Sequence, residues 1–360
     1  MTDRTIRTSD RTAYLGGYSG TDTPTKGISC ARVAADGRWE VTGLVTGVPN
    51  PFHLALSATG GVLYAAANVD TGSVHALRVE PTGSLIPMAE QSTEGAGTVH
   101  VAIDPSGRYL LAANHDSGNV VVHELDGVGR VGPVRSQVQH TGSGPDPQAQ
   151  ECPHPHEVVF DPRGGAVLVP DKGTDSIWVH PFADGELGDG EQVALPAGMG
   201  PRQLVLHPDG RHGYVVGELD STVAVLSRDP ATGRLATVSA VSTLPPDTEL
   251  WNAPATARLS ADAAVLCVCN RGHESVAILA VESGGAELRL VGAPRVTDAP
   301  GVPALPWDLV LEGPSTALVA HVANQHSDTV ESFRVDPVAA TLTPFGTPGT
   351  APTPVCIALT

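Results

Sequence analysis

Six times along this 360-residue chain a polar residue opens an apolar run, a Pro/Gly turn follows, and a second apolar run ends in another polar residue. The copies begin at Pro51-Phe52-His53, Thr98-Val99-His100, Pro155-His156-Glu157, Pro201-Arg202-Gln203, Pro254-Ala255-Thr256 and Pro306-Trp307-Asp308, and a partial seventh is Pro354-Val355-Cys356-Ile357. Successive starts lie about 46 to 57 residues apart, the period of repeats built from four short strands. The apolar runs are short and many alternate, as in Thr222-Val223-Ala224-Val225-Leu226, and no helix-period stripe separates them. Forty glycines and 31 prolines, with no low-complexity run, supply the many tight turns that such a chain needs.

The copy around Val99 reads strand by strand. His100 to Ile103 is the first, Asp104-Pro105-Ser106-Gly107 a turn, Tyr109 to Ala113 the second, and Asn119 to His123 the third, with a weaker fourth beyond. The remaining pieces are at the ends: Tyr14 to Tyr18 matches a second strand, Gly27 to Ala31 a third, and Pro354 to Leu359 a first. Joined, they complete a seventh unit. The expected fold is therefore an all-β, seven-bladed propeller of four-stranded blades, closed by N- and C-terminal strands in one blade, which removes exposed sheet edges. One such domain spans 11–360, behind a disordered tail at 1–10. A ring of blades escapes the usual size limit of a single core, because each blade packs only on its neighbours.

Closure also collects equivalent positions at one rim of the central channel. The strand-start column reads His53, His100, Glu157, Gln203, Thr256, Asp308, preceded by Phe52, Val99, His156, Arg202, Ala255 and Trp307. Second strands end at Asn114, Asp171, Gly217, Asn270 and Asn324, followed by His115, Lys172, Glu218, Arg271 and Gln325. Turn capping accounts for the Asn/Asp positions. It does not call for histidines in three blades, for two arginines, or for Lys172, one of two lysines in the chain. Arg202, Arg271, Lys172, His53, His100 and His156 read as an island of positive charge able to focus a small anion.

The island stands out because the chain as a whole carries 39 acidic against 21 basic residues, a formal charge of −18. That balance excludes nucleic acid and anionic membrane as partners. No apolar run approaches a membrane span, and the N-terminus has no signal-like segment. The five cysteines form no framework, so reduced thiols and a cytoplasmic location are expected, with Cys267 and Cys269 packing on one strand. Cys152-Pro153-His154-Pro155-His156 would point His154 and His156 to one side of an extended segment. The ligand set is open, and neither metal nor cofactor is assigned. Aromatic residues are only 4% of the chain, so a monomer or weak dimer is expected.

Six segments in order, His154-Pro155-His156, Gly200-Pro201-Arg202, Gly217-Glu218-Leu219-Asp220-Ser221-Thr222-Val223, Cys269-Asn270-Arg271-Gly272, Ala323-Asn324-Gln325 and Pro354-Val355-Cys356, resemble the lactonase family of seven-bladed propellers. That family includes bacterial 6-phosphogluconolactonases and fungal 3-carboxy-cis,cis-muconate lactonising enzymes. The resemblance runs from about Tyr14 to the C-terminus and implies catalytic roles for His156, Arg202, Glu218 and Arg271. Thr256-Ala257-Arg258 departs from an acidic-Ile-His pattern common in the phosphogluconolactonase-like members, and the loop Pro133 to Pro153 has no family counterpart.

The expected activity is hydrolysis of an anionic sugar lactone, 6-phosphogluconolactone being the family default. A muconate-type lactonising reaction and a non-catalytic scaffold are the rivals. Glu218 or His156 would be the general base, and the arginines would clamp the anion and the developing oxyanion. Lys172, His53, His100, Gln203, Asn270 and Asn324 would add substrate contacts. Structural alternatives are a Glu218–Arg271 ion pair, an Arg202–Asp171 pair, and His156 bound to a strand end.

Overall fold

The computed structural model describes residues 10–20, 22, 24–296 and 303–360. The expected tail at 1–10 lies outside them except for Asp10. Seven sheets account for the strands, and the first blade (residues 51–92) shows the plan: Pro51–Leu56 innermost, then Val62–Ala67, Ser73–Val79 and Leu85–Ser92, each antiparallel to the last. Blades two to six follow at 98–139, 155–194, 201–242, 253–292 and 306–350. In the closing blade Pro354–Leu359 pairs with Arg11–Gly17, Leu15 opposite Ile357, ahead of Gly27–Val33 and Trp39–Thr46. Among the described residues, helix is confined to two single 3-10 turns, Ser283–Gly285 and Ser315–Ala317.

Each blade is buried on both faces, so its second and third strands read as continuous apolar runs. The described core divides into seven apolar clusters; six each bridge one pair of neighbouring blades, and the cluster between blades two and three also takes in Phe52 of blade one and Val355 of the closing blade. Tyr214, Val216 and Val225 of blade four meet Ala257, Leu266 and Val268 of blade five, for example. Cys267 and Cys269 are fully buried among such residues, and all five cysteines are free. The turn at 104–107 shows the local chemistry: the Asp104 carboxylate accepts the N–H groups of Ser106, Arg108 and Tyr109, and Gly107 supplies the positive φ of 71°.

Blade three departs from the expected repeat. Its innermost strand shrinks to Val159–Phe160 plus an isolated Pro155–Asp171 bridge. Pro153 and Pro155 have no N–H to donate to a ladder. The long segment starting at Pro133 is also shorter as a loop than expected, because Val131–Gln139 is the fourth strand of blade two.

The strand starts share a second feature. In every blade one extra residue lies between the first pairs of the two inner strands: Pro51 pairs with Ala67 but His53 with Ala66, and Pro201 with Gly217 but Gln203 with Val216. Register shifts recur at 98/100, 254/257, 306/308 and 354/356, and the pairs Pro155–Asp171 and Val159–Leu168 enclose another. Such bulges break alternation and re-aim a side chain. Two consecutive residues per blade can then line the channel.

Candidate active site

The two residues of each bulge form two rings. His53, His100, Glu157, Gln203, Thr256, Asp308 and Cys356 line the throat, while Phe52, Val99, His156, Arg202, Trp307 and Val355 surround its upper end. An innermost strand has backbone N–H groups on its channel side that the sheet cannot satisfy. Throat residues meet that need across six of the seven junctions. Val101 N–H donates to His53 Nδ1 (3.4 Å), Val158 to His100 Nδ1 (3.3 Å), and Leu204 to Glu157 Oε2 (2.6 Å). Ala257 donates to Gln203 Oε1 (2.6 Å), Ile357 to Asp308 Oδ2 (2.7 Å) and Leu54 to Cys356 Sγ (3.3 Å). The series skips Thr256, where Arg258 reaches Asp308 instead (3.5 Å).

The polar column thus has a structural cause that sequence reasoning missed, and the acceptor-bearing Cys356 of the seventh copy was the available signal. Asp308→Ala leaves the Ile357 N–H without its acceptor and Arg258 without its carboxylate. An unfolding free energy lower by about 1–3 kcal/mol is expected, read from the urea midpoint.

Predicted contacts sort accordingly. His53, His100 and Gln203 do reach the throat, but as stitches between blades. Asn270 and Asn324 are not brought to the mouth. Asn270 is fully buried, donating to Thr243 O and Ser275 Oγ and accepting from Asn252, while Asn324 Nδ2 donates to Thr329 Oγ1. Both tie strand ends together, as short amide side chains do at turns. Asp171 is likewise engaged with His140 (2.6 Å) and does not pair with Arg202.

The three histidines also lose the charge assigned to them. Burial, helped by Arg258, drives the His53 pKa down to about 3. Burial and His53 hold His100 well below the ordinary imidazole value, and burial and Arg202 do the same to His156. Closing the ring desolvates them, and the neutral form wins.

The positive charge comes from three other groups, converging on Glu218. Glu218 follows the second strand of blade four, and its backbone N–H is held by Gly200 O. Its Oε1 lies 2.7 Å from Lys172 Nζ of blade three, and its Oε2 lies 2.9 Å from Arg271 Nη2 of blade five and 3.1 Å from Arg202 Nε. The Glu218–Arg271 pair thus exists within a larger cluster. Burial opposes ionisation of Glu218, but Arg271, Lys172 and Arg202 outweigh it and hold the carboxyl well below its usual range. Burial and Arg271 lower the Arg202 pKa to about 10, which leaves it cationic at neutral pH. One carboxylate against three cations leaves two positive charges in a desolvated place, complementary to an anion.

His156 sits beside this cluster with its backbone N–H on Pro170 O, and among the described residues neither ring nitrogen has a hydrogen-bond partner. The strand-end alternative for its side chain is not seen. Trp307, from the same bulge in blade six, underlies both arginines, with the Arg271 guanidinium 4.3 Å and that of Arg202 5.9 Å from its rings. Its Nε1–H is buried without an acceptor among the described residues, a donor left for a ligand. Sequence reasoning placed Trp307 in the rim column but gave it no role.

Volume decides what fits where. The throat encloses about 40 Å³, room for a water or two. Above it a cleft of about 550 Å³, lined by Tyr18, Trp251, Arg271, Trp307, Gln325 and His326, is of small-ligand size. Trp307 lines both, so the cleft adjoins the throat. Imidazole base, guanidinium donors and excess positive charge at a water-sized hole can bind an anionic ester and hydrolyse it.

Comparison with known proteins agrees with the seven-bladed fold. A family model described as "Lactonase, 7-bladed beta-propeller" matches residues 12–359. The 6-phosphogluconolactonase of Bacillus subtilis is 29% identical over 310 residues, 86% of each chain. Among solved structures, the periplasmic gluconolactonase of Pseudomonas aeruginosa superposes with a TM-score of 0.87 at 26% identity, covering 98% of this chain and 99% of that one. A protein from Lactobacillus plantarum gives 0.86 at 28%, with 98% and 99% covered.

Proposed function

This chain belongs to the lactonase family of seven-bladed β-propellers, and from that membership we propose that it hydrolyses an anionic sugar lactone, 6-phosphogluconolactone or a close analogue. The observation that carries the reading is the two-charge excess of Lys172, Arg202 and Arg271 over Glu218 beside an unpartnered, neutral His156. The B. subtilis relative's name supports the phosphorylated substrate.

In this scheme the lactone lies in the cleft over Trp307 with its anionic group toward Arg271 and Lys172. A water in the throat loses a proton to His156 and adds to the ester carbonyl. The tetrahedral oxyanion is met by the Arg202 guanidinium and the Trp307 Nε1–H. Collapse breaks the bond to the ring oxygen, which takes the proton back from His156. The products are a free hydroxyl and a carboxylic acid, which releases its proton to solvent as the carboxylate. Glu218 is the weaker candidate for base, because its oxygens are already engaged by three cations. Its role is to hold Arg202, Arg271 and Lys172 in place.

The test is a hydrolysis assay on 6-phosphogluconolactone, corrected for spontaneous opening. Wild type should exceed the background, and Arg202→Ala should lose about 10²-fold in kcat/KM. Equal rates for the two proteins would overturn the proposal. Turnover in a muconate absorbance assay instead would transfer the same residues to lactonisation, which also needs carboxylate binding and proton transfer.

A further inference from the structure

Two residues ahead of His156 the chain makes a second cluster that the proposed hydrolysis does not use. Glu151 Oε1, Cys152 Sγ and His154 Nε2 face one another at 3.5 Å (O to N), 3.8 Å (S to N) and 3.8 Å (S to O). A tetrahedral zinc ion with Zn–S of ~2.3 Å and Zn–N or Zn–O of ~2.0–2.1 Å separates its ligands by about 3.3 Å (N to O) and about 3.6 Å (S to N or O). The three donors already stand within about 0.3 Å of those edges.

The histidine is prepared for the role. His154 is 7% exposed, and its Nδ1 lies 2.9 Å from the carbonyl oxygen of His115, a contact that requires the hydrogen on Nδ1. The lone pair is thereby placed on Nε2, which among the described residues faces Cys152 and Glu151. A backbone carbonyl on the other ring nitrogen is the usual second layer of a metal-bound histidine. The segment is also fixed from outside. His154 N–H donates to Asp171 Oδ1 (2.8 Å), its carbonyl accepts from Lys172 N–H (3.0 Å), and the His154 ring stacks on His115 at 4.3 Å. Gly173 passes so close to the Cys152 carbonyl that any side chain there would collide with it.

We infer that Glu151, Cys152 and His154 form a binding site for one thiophilic divalent cation of the zinc class, with a fourth position left to solvent. A thiolate, a carboxylate and a neutral imidazole balance the two charges of the ion, and a thiolate selects zinc over magnesium or calcium. Three protein ligands and one open vertex are the arrangement of zinc sites that exchange a ligand. Sequence reasoning paired His154 with His156. The structure instead directs His154 Nε2 toward Cys152 and Glu151, and leaves His156 beside the cluster around Glu218.

Cobalt(II), with the spectrum of a four-coordinate ion, is the probe. Full-length protein stripped with a chelator should bind one equivalent, develop a thiolate-to-cobalt charge-transfer band, and lose it when zinc is added. Cys152→Ser should abolish the band. Glu151→Gln, a change at an exposed side chain, should keep the band and weaken zinc at least about tenfold. Circular dichroism of both variants without metal shows whether they fold. A wild type without the band at one equivalent, or Glu151→Gln with unchanged zinc affinity, would overturn the inference. So would loss of the cobalt spectrum in His212→Gln, because the rival trio His207, Asp209 and His212 would then be the binding site.

Discussion

His156→Gln is expected to lower kcat for lactone hydrolysis by about 10²–10⁴-fold with KM changed little, since the amide keeps the volume and polarity but cannot take a proton. The pH profile carries the same information. Burial and Arg202 hold the imidazole pKa well below its ordinary value, so the base form is present at neutral pH. Wild-type kcat/KM should therefore be flat across the ordinary imidazole range and fall only in more acidic solution, as His156 takes up a proton. The variant should have no such limb. If His156→Gln stays within a few-fold of wild type and keeps the limb, the base is another group, and Glu218 becomes the candidate.

The second large effect is on folding. Glu218→Gln removes the one carboxylate that Lys172, Arg202 and Arg271 share, and leaves three cations crowded at a buried rim. Breaking a buried pair by deleting one partner costs about 3–5 kcal/mol, chiefly because uncompensated charge stays behind. A loss of that order is expected in the urea midpoint. Millimolar phosphate should recover part of it, because an anion that binds only the folded mouth stabilises by mass action. In the wild type the same term appears with pH. The folded pKa of Glu218 is depressed, so its contribution is present above the ordinary carboxylate range and is lost as pH falls toward the folded value. Acid should therefore unfold the wild type along a limb that Glu218→Gln lacks. An unchanged midpoint would mean that the cations are solvated and Glu218 holds nothing.

The ring, its closing blade and the rim carrying Glu218, Arg271 and Lys172 were legible in the sequence because all three follow from repeat columns. Local pattern sufficed: the same offset from a turn puts residues of consecutive blades at one end of the channel. What was not legible depends on closure itself. The neutrality of His53, His100 and His156 comes from burial by blades distant in sequence, so counting them as positive charge overstated the island. Asn270 and Asn324 were misplaced for a related reason. A strand-end column fixes height along the channel, but not whether a side chain turns inward or back into its own blade. Arg258 was seen only as a departure from a family pattern, though its place two residues after Thr256, in step with the alternation, was enough to set it in the throat.

The stitches between blades ask very little of the side chain that makes them. Each needs one lone pair at one height, and histidine, glutamate, glutamine, aspartate and cysteine all meet that requirement around this single ring. Architecture is therefore nearly indifferent to what those positions do chemically. A lineage can exchange a histidine for an acid or an amide there, retuning the charge and proton affinity beneath a bound ligand, while the blades stay joined. The throat is therefore the part of the molecule where a change of side-chain chemistry disturbs the fold least.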